Sequence, residues 1–327
     1  MSTIGFIYKN KCHPVTQTYA NSIGAVPLRI TGFLDALFKG ITSPRFDSYF
    51  VESVMSILVP ITKRFLGNKI TIIFRGNDGL FGEKTTAYLG TKNPFKKWFL
   101  LFLIKHMDGI IVESAMTKLH AERWTKAPVL VCESYVEEKK ELEKIKPNLS
   151  TKNFLFIGEY RPPYDHKNIH FLLSVFALLP EYHLIIIGKN TKLLQPLASA
   201  NVEILDYVVD KNSYYKNATY YIHLPKYETG PITLLEAMTA GVLPITNTNA
   251  GHASVMQDVD ARFVLSSNLS ATATASVIQS LVSFSLTQKH KISETFKKNA
   301  HSHWNKRSME KQFRKSWDLL LRILNNK

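Results

Sequence analysis

A chain of 327 residues with 45% hydrophobic and 20% charged residues has the balance of a folded globular protein and the length of two ordinary domains. Its two cysteines, Cys12 and Cys132, exclude a disulfide framework and favour a reducing compartment. The longest wholly apolar run, Trp98 to Ile104, is about a third of the ~20 residues that span a bilayer. The opening Met-Ser-Thr-Ile-Gly-Phe-Ile-Tyr-Lys lacks the basic start and apolar stretch of a signal peptide, so neither a transmembrane helix nor a leader is expected. The net charge of +15 is unevenly spread: residues 1–150 hold 21 Lys/Arg against 13 Asp/Glu, residues 151–286 hold 9 against 10, and residues 287–327 hold 11 against 3. Basic ends around a neutral middle read either as a solvated basic surface or as attraction to something anionic, such as a membrane leaflet, an acidic glycan or a nucleic acid. The basic segments carry no recognised nucleic-acid motif, so a nucleic-acid partner is not expected.

Residues 3–8 predict a first strand, residues 9–24 a polar irregular segment, Val26 to Ile30 a second strand and Thr31 to Gly40 a helix. Asp47 to Val51 predicts a third strand, followed by a helix to about Leu66 that Gly67 stops. Lys69 to Phe74 is a clear strand, with the loop Arg75-Gly-Asn-Asp-Gly79 at its end. Pro94 to Lys105 is helix-like; with its aromatics and cationic flanks it reads either as an interfacial anchor or as a helix buried against a sheet, and Lys92, Lys96 and Lys97 could reach lipid headgroups in either case. Gly109 to Val112 and Val129 to Cys132 are further strands around a helix from Ser114 to about Trp124. The charge-dense run from Glu137 to Lys146, with the polar residues after it, is the best linker candidate.

A second series then begins. Asn153 to Ile157 and His183 to Ile187 are strands ending at Gly158 and Gly188, separated by a helix from Asn168 to Leu179. A strand at Val202 to Leu205 precedes the most informative stretch, Tyr220 to Thr246. Thr219 to Leu224 reads as a buried strand, Gly230-Pro231 as a turn, Ile232 to Ala240 as a helix stopped by Gly241, and Val242 to Thr246 as the next strand. Strands alternating with helices predict parallel sheets. In such sheets ligands bind at the carboxyl edge, where helix-end N–H groups and the helix dipole favour a phosphate. Glu228 in the loop and Glu236 in the helix put two carboxylates beside that anion-friendly end, which suits a ligand with hydroxyls on both sides of a phosphate, as a nucleotide sugar has. The tail from Met309 to Leu324 sets Phe313, Trp317, Leu320, Leu321 and Leu324 on one helical face.

Glu228 and Glu236 separated by seven residues, with Leu234-Leu-Glu-Ala-Met-Thr-Ala-Gly241 and Pro244-Ile-Thr246, resemble the signature of retaining glycosyltransferases of family 4, which have the GT-B fold. Phe156-Ile-Gly158 with Lys167-Asn168, Leu184-Ile-Ile-Ile-Gly188, Asp206-Tyr-Val-Val209 and His301-Ser-His-Trp304 extend the resemblance over nearly all of residues 150–324, and it is looser over 1–149. The resemblance implies an α/β fold of two Rossmann-like doubly wound parallel-sheet domains facing a cleft. Residues 1–149 with the closing helix 308–327 would bind the acceptor, and residues 150–307 the nucleotide-diphosphate sugar. It implies retention at the anomeric carbon with neither metal nor other cofactor, by a front-face route that needs no protein nucleophile. Carried over by motif, Glu228 would hold donor-sugar hydroxyls and Glu236 the ribose. Arg161, Lys167 and the amides near Gly230, Ile232 and Thr233 would face the diphosphate, while Gly188, Lys189, Tyr207 and Val208 would flank the base. The His usual after the acceptor-domain strand is Arg75 here, so Arg75 or Asp78 would take its place.

The expected protein is therefore a cytoplasmic transferase, with a peripheral position at the inner face of the membrane as an option. Its acceptor would be an anionic or lipid-linked glycan of cell-surface polysaccharide or glycoconjugate synthesis. The alternatives are a GT-B enzyme of other outcome, either an inverting transferase or a nucleotide-sugar epimerase, and a non-catalytic basic binding protein on the same scaffold. Asp258-Val-Asp260 matches the spacing of metal-dependent transferases but reads as a turn, and His301 with His303 makes no metal site.

Overall fold

The computed structural model describes residues 3–76, 78–81, 91, 93–137 and 139–326, without the side chains of residues 78, 79 and 139. They form two compact units, Met1–Ser134 with Lys306–Lys327, and Tyr135–Asn305. Each is built on one six-stranded parallel sheet with helices between its strands, the doubly wound α/β architecture expected from the alternating pattern.

In the first unit β1 (Ile4–Lys9), β2 (Val26–Ile30), β3 (Ser48–Val51), β4 (Thr71–Gly76), β5 (Gly109–Val112) and β6 (Val129–Val131) take the order β2-β1-β3-β4-β5-β6. The intervening helices are α1 (Pro14–Ser22), α2 (Phe33–Thr42), α3 (Leu58–Phe65), α4 (Asp78–Phe81), α5 (Pro94–Lys105) and α6 (Ala115–Glu122). Strands β3 and β5 are buried along their whole length, because a parallel sheet covered on both faces has no wet side. The segment 9–24, expected to be irregular, contains α1. Pro14 opens that helix and its inward stripe is only Val15, Thr16, Tyr19 and Ala20, too little apolar signal to stand out from the polar residues around it.

In the second unit β7 (Asn153–Ile157), β8 (His183–Ile187), β9 (Val202–Leu205), β10 (Tyr220–His223), β11 (Leu243–Asn247) and β12 (Val264–Leu265) take the order β12-β11-β10-β7-β8-β9. Its helices are α7 (Lys139–Glu143), α8 (Ile169–Ala177), α9 (Asn212–Asn217), α10 (Ile232–Ala240), α11 (Ala253–Asp260), α12 (Ala271–Val282) and α13 (Leu286–His303). The run from Glu137 to Lys146, expected as a linker, is packed inside this unit. It holds α7 and buries Leu142 and Ile145; Lys297 donates to the Ile145 carbonyl at 3.1 Å. Its charges dominate the sequence there, yet apolar residues at helical spacing anchor it. Asp258-Val-Asp260, expected as a turn, is instead the last turn of α11, where Asp260 accepts from the Arg262 N–H at 3.1 Å and pairs with the Arg262 guanidinium at 2.6 Å.

The last helix, α14 (Lys306–Asn325), belongs to the first unit. Phe313 stacks on Tyr19 at 4.7 Å and Trp317 meets Phe50 edge-on at 5.9 Å, so the apolar stripe predicted for the tail is spent on this core. Leu321 and Leu324, at the edge of that stripe, stay half-buried.

Strand order reverses between β1 and β3 in the first unit and between β7 and β10 in the second. The crevice at the carboxyl ends of such a pair is where open α/β sheets take ligands. Beside the second reversal, the chain leaving β8 passes very close to that leaving β7: a Cβ on Gly188 would lie 2.0 Å from the Gly158 carbonyl oxygen. The obstacle is backbone, so no rotamer relieves it. Gly188→Ala should cost at least the ~1–3 kcal/mol typical of overpacking, read as a lower urea midpoint at unchanged slope. An unchanged midpoint would show that the β7 end gives way.

Candidate active site

Beyond His223, the last residue of β10, the chain runs through Leu224-Pro-Lys-Tyr227 to Glu228 before α10 begins. Backbone hydrogen bonds tie this loop down at three points. The Lys226 N–H donates to the His166 carbonyl at 2.8 Å, the Glu228 N–H to the Asn249 carbonyl at 3.1 Å, and the Gly251 N–H to the Glu228 carbonyl at 2.7 Å. Glu228 is thereby fixed at the strand reversal. Lys167 Nζ donates to its Oε1 at 2.6 Å, with only 14% and 12% of the two side chains exposed. His223, wholly buried, sets Nε2 at 2.6 Å from Glu228 Oε2, close enough for charge contact but without hydrogen-bond alignment. Gly158 leaves room for the lysine, since a Cβ there would fall 2.7 Å from Lys167 Cδ.

The electrostatics follow from this packing. Burial alone would push the Glu228 carboxyl up. The Lys167 ammonium, followed by the His223 ring, outweighs it and holds the group well below the usual carboxylate range. Burial pushes His223 down, against the pull of Glu228, and burial with the neighbouring Lys167 does the same to His166. Glu228 is therefore held as a carboxylate, beside a histidine that burial disfavours as a cation.

The next layer is α10. Pro231 occupies its N-cap and has no N–H, so the N–H groups of Ile232 and Thr233 open the helix after Gly230. The Tyr221 hydroxyl donates to Thr233 Oγ1 at 2.6 Å. Burial pushes the Tyr221 phenol up, and both Glu228 and Glu236 act on it in the same direction, so this hydroxyl lies within electrostatic reach of both carboxylates. Glu236, one turn into the helix, accepts from Lys211 Nζ at 3.0 and 2.8 Å and from the Tyr215 hydroxyl at 2.8 Å.

The structure thus brings together Lys167, Glu228, Gly188 and the start of α10, with Glu236 nearby. Lys189 is exposed, and its carbonyl accepts from the Tyr160 N–H at 3.0 Å. Tyr207, exposed, and Val208, half-buried, follow β9. Arg161 does not join Lys167. It is exposed and pairs with Glu159 at 2.7 Å, in a loop that contains the cis Pro162–Pro163 bond. Arg75 is in the first unit, 3% exposed at the end of β4, paired with Glu113 at 3.0 Å and lying over the Tyr19 ring at 4.9 Å. The Asp78 side chain lies outside the described residues. His223, Lys211, Tyr215 and Tyr221 went unnoticed in the sequence. A histidine closing an apolar strand was a usable signal for His223, whereas nothing local links Lys211 or Tyr215 to Glu236.

The fold recurs in solved glycosyltransferases and related synthases. Sucrose-phosphate synthase from Thermosynechococcus elongatus superposes with a TM-score of 0.76 at 13% identity, covering 99% of this chain and 100% of that one. HepE of Anabaena in complex with UDP-glucose gives 0.72 at 13% identity, covering 97% and 100%. WaaG, a glycosyltransferase involved in lipopolysaccharide biosynthesis, gives 0.66 at 12% identity, covering 95% and 98%. Two Rossmann-like units of this kind define the GT-B architecture. The family model described as glycosyl transferases group 1 matches residues 137–303, more than half of the chain, and the chain belongs to that family of glycosyltransferases. No curated protein matches it in sequence.

Acid sensitivity follows from the two depressed groups. His223 titrates below its ordinary 6.5 in the folded chain, so the unfolded chain binds that proton more readily and stability is lost as pH falls through about 6.5. The contribution of Glu228 is full above its ordinary 4.5 and is lost below it. The melting temperature should fall between pH 7 and pH 5, and fall less in His223→Gln. An equal fall in both would place that sensitivity elsewhere.

Proposed function

We propose that the protein transfers a sugar from a nucleotide-diphosphate sugar to an acceptor hydroxyl with retention at the anomeric carbon and without a metal. The observation that carries this reading is the largely buried Lys167–Glu228 pair at the strand reversal, beside the open N-terminus of α10. Glu228 offers a fixed carboxylate to sugar hydroxyls, and Lys167 keeps a cation between that carboxylate and the diphosphate. The N–H groups of Ile232 and Thr233 supply further positive dipole just after Gly230, which puts no side chain in the way. Glu236 is placed to accept from ribose hydroxyls, in exchange for part of its contact with Lys211 and Tyr215. Gly188, Lys189, Tyr207 and Val208 flank the base. Arg161 pairs with Glu159 at the surface and Arg75 with Glu113 in the first unit, so Lys167 is the side-chain cation this reading rests on.

The chemistry is charge stabilisation. As the bond between the anomeric carbon and the diphosphate oxygen breaks, negative charge builds on the leaving group, where preorganised cations and amides are most effective. The acceptor oxygen bonds to the same face of the anomeric carbon, and its proton passes to the leaving phosphate oxygen. No side chain has to become a covalent nucleophile. A nucleotide-sugar donor is supported by HepE, whose fold this chain shares and which is described in complex with UDP-glucose. The net charge of +15 supports an anionic acceptor, for which a lipid-linked or cell-surface glycan made on the cytoplasmic side is the reading adopted.

A thermal-shift screen of nucleotide-diphosphate sugars should identify a donor that raises the melting temperature by mass action. With that donor, Glu228→Gln should lower kcat by about 10²-fold or more, as losing a preorganised polar group at the reacting centre does. Product NMR should show the anomeric configuration of the donor. Unchanged turnover in the variant would reject the site, and an inverted product would reject retention.

A further inference from the structure

We infer that the face formed by α2, α3 and α5 in the first unit docks on an anionic lipid bilayer. The first observation is that α2 carries its bulk on the wrong side for a core helix. Its inward positions are Ala36 and Gly40, and a Cβ on Gly40 would meet Thr62 Cβ of α3 at 2.5 Å, so the two helices pack almost backbone to backbone. Leu34, Phe38 and Ile41, spaced by four and three residues, point the other way and are 78%, 64% and 65% exposed. Burying them against the sheet would have been the ordinary solution.

The second observation is continuity. Phe65 and Leu66 at the end of α3, and Phe95 and Trp98 at the start of α5, are also exposed. Ring contacts join the three helices into one surface. Phe33 lies 6.3 Å from Phe99, Phe65 stacks on Phe102 at 6.4 Å, and Trp98 stacks on Phe102 at 6.1 Å. Single exposed apolar side chains are ordinary, but a contiguous set marks an interaction surface.

The third observation is charge, and it selects the partner. Of the six Lys/Arg on the three helices, Lys63 is buried, Arg64 pairs with Asp108 and Lys39 lies 3.3 Å from Asp35, so the positive charge of this face comes from α5, which has three lysines and no acidic residue. Lys96 and Lys105 stand exposed at the two ends of α5, on side chains long enough to reach from an apolar layer to headgroups. Aromatic and aliphatic residues among cations are what an interfacial surface presents to anionic lipid. A second copy of the same face would instead oppose like charge with like in a self-complementary contact. No helix of the described residues is long and apolar enough to cross a membrane, so the surface lies on the bilayer. The helix 94–105, open in the sequence to burial or to lipid contact, has a side for each: Leu100, Leu103 and Ile104 are in the core while Phe95 and Trp98 are exposed.

The full chain should be co-sedimented, without any sugar donor, with phosphatidylcholine vesicles that either contain or lack phosphatidylglycerol, at low and high salt. Wild type should pellet with the anionic vesicles and less so at high salt. The triple variant Leu34→Ser/Phe38→Ser/Ile41→Ser should bind about tenfold more weakly or worse, and Lys96→Glu/Lys105→Glu should lose the salt-dependent part, both at wild-type melting temperature because all five side chains are on the surface. Wild type left in the supernatant, or a triple variant that pellets like wild type, would overturn the inference. So would a wild-type dimer that the triple variant dissolves while neither protein binds vesicles. None of these outcomes depends on the transfer reaction proposed above.

Discussion

An ionised carboxylate survives burial only beside a cation, and much of the second unit serves that one requirement at Glu228. Lys167 reaches the carboxylate because Gly158 has no side chain in its path. Gly158 in turn sits against Gly188, whose missing side chain lets two strand ends approach. The loop carrying Glu228 is held by backbone bonds to the loops after β7 and β11. Removing one partner of such a pair leaves an uncompensated charge, which costs about 3–5 kcal/mol. A fold that keeps it has a reason to present both charges at a strand reversal, and binding a ligand with a charged and a hydroxylated part is such a reason.

The first unit has its own buried ion pair, with a different outcome. Arg75, ending β4, pairs with Glu113, just beyond β5, and Glu113 also accepts from Ser134 past β6 at 3.2 Å. Tyr19 covers the guanidinium. This pair staples three neighbouring strand ends together. The strand order of that unit reverses elsewhere, between β1 and β3, so the end of β4 is not its natural ligand edge.

The second unit was the more legible. Its strands are short apolar runs punctuated by Gly158, Gly188 and Gly241, and the pattern around Glu228 and Glu236 is local in sequence. The pairings of those carboxylates were less so. Lys167 is 61 residues from Glu228, and Lys211 is 25 from Glu236. Arg161, close in sequence to the strand end, pairs with Glu159 two residues away. In the first unit α1 was hidden by its polar surface, and the sequence showed α2 as a helix without showing which of its faces is wet.

Periodicity, glycine placement and one carboxylate pattern in the sequence determined two parallel sheets, their carboxyl edges and a glycosyltransferase of the GT-B type, because those signals depend on residues a few positions apart. Which face of α2 is wet, which cation meets Glu228 and whether Arg75 is buried were decided only by tertiary structure. Each depends on which helix packs where, and thus on residues distant along the chain competing for one space. Periodicity marks the apolar side of a helix; only packing against Thr62 shows that Gly40 and Ala36 lie inside and that the larger residues of α2 are left out.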